Sequence, residues 1–104
     1  AMAGDLCRLT LIYPPDAEEA LLSALDHAQP PLAGFTTWRA HGHGASFDNV
    51  SHAERVAGRV ARGVLVIILG RARAESLLEE IKASAPIPHL MYWIEPVLAA
   101  GRLA

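Results

Sequence analysis

The chain has a single cysteine, Cys7, in 104 residues, so no internal disulfide can form and a reducing compartment is expected. Basic residues are not in excess: nine Lys and Arg stand against eleven Asp and Glu, a formal charge of −2. Binding along a phosphate backbone draws on a basic surplus to release counterions, so no nucleic-acid partner is expected. No apolar run approaches the roughly 20 residues of a membrane helix, and no apolar leader opens the chain. Direct membrane insertion is therefore not expected, and the reading is a soluble, cytoplasmic protein. Aromatic residues are sparse, and the two tryptophans, Trp38 and Trp93, lack the basic surroundings of a base-stacking platform; they read as core or subunit-interface anchors. Ser-His-Asp, HExxH, P-loop and paired-carboxylate arrangements are missing, so an enzyme is not expected.

What is present fits one domain over residues 1–104, long enough to bury about 65% of its unfolded surface. Ala1-Met2 reads as a cloning scar, with residues 1–4 a flexible start, and Asn49-Val50-Ser51 as a chance sequon. Leu6 to Tyr13 is rich in Leu, Ile and Thr and stops at Pro14-Pro15, which predicts a buried first strand. Asp16 offers an N-cap with Glu19 three positions on. Ala17, Ala20, Leu21, Ala24, Leu25 and Ala28 then recur at helical spacing until Pro30-Pro31. Phe35 to Gly42 resumes as a strand, with Thr36, Trp38 and Ala40 on one face and Phe35, Thr37, Arg39 and His41 on the other. A third strand is predicted over Val64 to Leu69. A helix follows, with Ala74, Leu77, Leu78, Ile81 and Ala85 on one stripe. Leu90 to Glu95 makes a fourth strand, where Pro96 should prevent central ladder pairing, and Val97 to Ala104 is a tail or short edge strand.

The order is βαββαβ, the α+β ferredoxin-like arrangement: two helices cover one face of an antiparallel four-stranded sheet. Yet Val64 to Leu69 and Leu90 to Ile94 are apolar on both faces, where a bare sheet face should be polar at every second residue. A covering copy of the same chain is the economical answer, so a homo-oligomer is predicted.

Gly34-Phe35-Thr36, followed at fixed distance by Gly42-His43-Gly44, resembles the pattern of the PII-like signalling family. Glu54-Arg55-Val56-Ala57-Gly58-Arg59 resembles the return limb of that family's T-loop. Together with Tyr92-Trp93 and Gly101-Arg102-Leu103, these residues are similar to a small PII-like branch that accompanies heavy-metal efflux systems of the RND type. The resemblance implies a homotrimeric regulatory protein that binds a small ligand, with a heavy-metal ion as candidate. It would signal to a membrane transporter or its regulator through a T-loop-like segment at residues 45–61. PII proteins bind nucleotide with a Gly- and Lys-rich B-loop after the second helix. Here that place reads Ala83-Ser84-Ala85-Pro86-Ile87-Pro88-His89, and prolines remove the N–H groups a phosphate cradle needs, which argues against standard ATP binding.

Around Gly42-His43-Gly44, His41 and His43 are two apart on a strand, with origins about 6.6 Å apart, and can share one metal ion. Further ligands would come from His52, Asp48, Glu54 or a neighbouring subunit's histidine. The plainer reading places His43 at a loop hinge. Gly42 and Gly44 suit backbone geometry where a strand leaves for a loop, or the close approach of a ligand, with Arg59 and Arg62 as planar donors to a carboxylate, phosphate or bicarbonate. Arg39 and Arg102 could join them, and for each arginine a surface ion pair is the alternative. Ala45 to Ala61 is long for a structureless connection, and Ser51 to Glu54 has capping-box spacing; ligand contacts at its base could order it and present Phe47 and Val50 to a partner. Cys7 reads as a small buried apolar residue. The competing classes are a CutA-like metal-binding buffer, a nucleotide- or bicarbonate-sensing PII-like protein, and, last, an enzyme with a site at a subunit cleft.

Overall fold

The computed structural model describes residues 5–44 and 59–104. Four antiparallel strands, β1 (Leu6–Tyr13), β2 (Thr36–Gly42), β3 (Val60–Gly70) and β4 (Met91–Pro96), form one sheet in the order β2-β3-β1-β4. Helices α1 (Glu18–Asp26) and α2 (Arg71–Ser84) complete the βαββαβ ferredoxin-like fold. The register sets which side chains share a face: Leu9 lies between Ile67 and Ile94, and Leu11 between Leu65 and Tyr92. On this face Cys7, Leu9, Leu11, Tyr13, Leu65 and Ile67 are buried with Leu21, Leu25 and Ala28 on the α1 side and Ala74, Leu77 and Ile81 of α2. The α2 stripe read from spacing is thus the one that packs, whereas of the first stripe Leu21, Leu25 and Ala28 are buried and Ala20 is exposed; Cys7 is a core residue whose thiol is pushed up by burial.

Strand ends shift by one residue at Phe35, Leu69 and Leu90, and three larger differences from the sequence reading have a physical cause. The predicted Asp16 cap is not made: Pro15–Ala17 forms a 3-10 turn, and the residue that caps α1 is Ala17, with no side-chain cap bond. Pro15, with its fixed φ, starts a turn of its own and moves the helix start past Asp16. Strand β3 begins at Val60, four residues before the apolar run, because Gly42↔Val60 through Arg39↔Gly63 pair across the hairpin; two residues predicted as loop, Val60 and Ala61, are strand. Pro96 does join the ladder, opposite Cys7, which the edge position of β4 permits at its last residue.

Gly63 explains why a glycine interrupts β3. It pairs with Tyr13, and a Cβ built there would lie 2.3 Å from Tyr13 Cε2. The buried ring occupies the space that any other residue would need.

The second face of the sheet carries no helix. Its rows read Trp38–Val64–Ile12–Met91, Thr36–Val66–Thr10–Trp93 and, at one end, Ile68–Arg8–Glu95. Trp38, Ile68, Met91 and Trp93 are all exposed there. At its centre Thr10 is buried, and its Oγ1 has no hydrogen-bond partner among the described residues. Arg8 donates from Nε and Nη2 to Glu95 Oε1 at 2.8 and 2.6 Å, and Trp93 Nε1 donates to the same oxygen at 3.1 Å.

Candidate functional site

The long β2–β3 hairpin is anchored by seven register pairs, from Thr36↔Val66 to Gly42↔Val60. Its base lies at the Tyr13 end of β1, because Tyr13 pairs with Gly63. The alternation of β2 sends Trp38, Ala40 and Gly42 toward the bare face and Arg39 and His41 toward the helical one. Gly42 has a packing reason: its absent Cβ would meet Arg62 Cγ at 3.2 Å and Val60 Cγ2 at 3.3 Å, so the Arg62 stem lies across it. Arg62 is half-buried and donates from Nη1 to the Ala61 carbonyl at 3.0 Å. Gly44 is exposed, with open space where a Cβ would stand, so nothing crowds it as Gly42 is crowded.

His41 is in β2, while His43 lies one residue past its end; both are exposed. His52, Asp48 and Glu54, like Phe47 and Val50, fall outside the described residues. Among those described, no three His, Cys, Asp or Glu gather where they could hold a metal ion. Arg59 is exposed one residue before β3, beside the paired Gly42 and Val60. Arg102 is exposed in the segment after β4, which leaves the sheet opposite Cys7, the end away from the hairpin base. Within one chain the base thus brings together Gly42, Arg62 and Arg59, with His41 and His43 beside them, and leaves Arg102 apart.

A second cluster at this end was not anticipated. Tyr13 is fully buried, and its hydroxyl donates to Glu18 Oε1 at 2.7 Å. Burial, then the bond to Glu18, holds its phenol well above the usual range, opposed by the nearby Arg39 charge. The pairs Tyr13↔Gly63 and Arg39↔Gly63 set the tyrosine and arginine on either side of the same glycine. The one sequence signal was the glycine interrupting an apolar strand.

An open apolar groove of about 720 Å³ lies on the helical face, between α2, the following loop and β4. Leu78, Ile87, Leu90 and Tyr92 are among its walls, and Glu75, Glu79 and Lys82 stand at it. Pro86 and Pro88 line the loop side. Backbone there lacks the successive free N–H groups that cradle phosphate. No described helix is long and apolar enough to cross a membrane.

Comparison with known proteins agrees with this architecture. A crystal structure of a DUF3240 family protein from Shewanella baltica OS155 superposes with a TM-score of 0.77 at 20% identity, over 96% of this chain and 98% of that one. Arabidopsis thaliana PII bound to citrate superposes with a TM-score of 0.67 at 18% identity, over 90% and 78%. Likeness at such identities establishes a shared PII-like fold. No curated protein sequence matches the chain. The family model for DUF3240, described as a protein of unknown function, matches residues 3–104, and the chain therefore belongs to the DUF3240 family.

Proposed function

We propose that this protein is a cytoplasmic regulatory module that binds a small ligand at the base of the β2–β3 hairpin and signals to a partner through the segment at residues 45–61. The observation that carries the reading is the hairpin itself. A rigid seven-pair ladder holds basic groups at the two roots of a long connection, on a PII-like scaffold. The favoured ligand class is a small anion. Arg59 and Arg62 offer planar donors beside Gly42, and the PII of similar fold is a protein bound to citrate. A heavy-metal ion is the second ligand, held by His41 and His43 with His52 as third donor, and the partner is then a metal efflux transporter or its regulator. The bare, apolar sheet face supports assembly as a homotrimer, with that face turned inward.

Thermal shift of the purified protein against citrate, bicarbonate, ATP, zinc and Cu(I) tests the reading, since a ligand that binds only the folded state raises its stability. Citrate or bicarbonate should raise the midpoint, and Arg59→Ala should abolish the rise. A metal shift abolished by His41→Ala/His43→Ala moves the assignment to the metal. No shift with any of the five, or identical hydrogen-exchange protection across 45–61 with and without them, sinks the proposal.

A further inference from the structure

Two opposite charges on the helical face stand on either side of a buried phenol without touching each other. Arg39 of β2 and Tyr13 of β1 are register partners of the same residue, Gly63. Position 63 has no side chain, and the Tyr13 ring fills that space: a Cβ there would lie 2.9 Å from the phenol oxygen. On the far side Glu18, the first residue of α1, accepts from the phenol at 2.7 Å. Both charges act on the phenol, Glu18 raising its pKa and Arg39 lowering it, so both lie near it. Yet no ion pair joins Arg39 to Glu18. Arg8, Arg71 and Arg73 each meet a glutamate, at 2.6, 3.7 and 2.5 Å, whereas Arg39 is exposed and meets none among the described residues.

Both ends of this pair are held in place. Arg39 sits inside the β2–β3 ladder. Glu18 follows the turn Pro15–Ala17, where Ala17 N donates to the Pro14 carbonyl at 2.9 Å. The Tyr13 bond then closes the link from strand to helix. It occupies only Oε1 of the half-buried Glu18, and Oε2 has no partner among the described residues. The next groups keep the same polarity: His41 follows Arg39 on its face, opposite Ala61, while Asp16 and Glu19 flank Glu18, and all three are exposed.

A simple anion drawn to Arg39 would face Glu18, Asp16 and Glu19, and a simple cation drawn to Glu18 would face Arg39. A small zwitterion satisfies both ends, since a guanidinium holds a carboxylate through two N–H bonds and a carboxylate accepts from an ammonium.

We propose that this shelf binds an amino acid in its zwitterionic form, its carboxylate on the Arg39 guanidinium and its ammonium on Glu18 Oε2, above the Tyr13 phenol. The bound molecule ties β2, the strand that enters the hairpin, to the start of α1. This site is separate from the anion site proposed above, because Gly42 and Arg62 point to the bare face and Arg39 to the helical one. The two stand or fall independently.

The test is a titration of the purified protein with each standard amino acid, followed by backbone amide NMR. Any that binds is then compared with the same skeleton lacking the amine and lacking the carboxylate. Saturable shifts are expected at the amides of Glu18, Arg39 and Gly63, and removal of either ligand group should abolish them. Glu18→Gln keeps an acceptor for Tyr13 and removes the charge; Arg39→Gln changes only an exposed side chain and reads binding even if the first variant fails to fold. Each should weaken binding about tenfold, and Arg59→Ala should leave it unchanged. The proposal is overturned if no standard amino acid moves these amides, if the amine-free acid binds as tightly, or if folded Arg39→Gln protein binds like the parent. Loss of binding in Arg59→Ala overturns it too, by assigning the ligand to the other site.

Discussion

The two faces of the sheet are built from similarly apolar residues and have opposite fates. On the helical face Leu9, Leu11, Tyr13 and Leu65 are wholly buried. On the other, Trp38, Met91 and Trp93 keep 44 to 60% of their surface in water, around a buried Thr10 whose hydroxyl has no partner among the described residues. The difference shows what each face is for. The first holds most of the protomer's core, although Val60, Val64 and Thr10 are buried on the other. The second holds apolar surface that the protomer does not use, which is the composition of an interface core. At one end Arg8 and Trp93 donate to a single Glu95 oxygen, and Arg62 stands at the other.

The comparison is sharpest where a side chain is lost. Leu65→Ala, on the helical face, should cost about 2–5 kcal/mol of unfolding free energy, because it leaves a cavity among close-packed neighbours. Denaturant titration measures this, and a loss under about 1 kcal/mol would mean that this face is not the core. Met91→Glu, on the bare face, should change unfolding of the isolated protomer by only about 0.5 kcal/mol while breaking up the homotrimer proposed above. Sedimentation at several concentrations reads the second effect; an unchanged mass removes the interface reading from this face.

The smallest effect concerns the polar end. The hydrogen bond from Arg8, with help from Trp93, holds the Glu95 carboxyl below the usual carboxylate range. A carboxylate favoured in the folded state stabilises at pH values above its unfolded pKa. That contribution fades as the pH falls through the lower folded value. Stability should therefore decline on acidification, and Glu95→Gln should flatten part of that decline. The pair is exposed, so the change is small. A parent and a variant with superimposable acid limbs would mean that the bond contributes nothing to folding.

How far these features could be read from residues alone depended on whether their cause was local. The first strand was legible to the residue, since a run of Leu, Ile and Thr ends at two prolines. The helical stripes were legible because burial follows the 3.6-residue period. The start of β3 was not, for Arg62 and Gly63 break the apolar pattern, and the reason for the glycine lies on β1, in the Tyr13 ring. The Asp16 cap was misread because a proline beside it had a stronger local preference. At the candidate site, Gly42 and Arg62 were legible as residues of interest but not as a contact, which needs the β2–β3 register. Spacing likewise placed His41 and His43 on one strand, while the strand ends between them. The groove had no signature at all: its walls come from a helix, a loop and an edge strand that meet only in three dimensions.

The contact between Tyr13 and Gly63 also constrains how this sequence can change over time. A side chain at position 63 is acceptable only after the ring at position 13 has been replaced by something smaller, while that replacement alone would empty part of a filled core. Each single step is unfavourable from the present state, so the two positions can move only together. A variant library that samples one site at a time would score both as immutable, although the pair has other solutions.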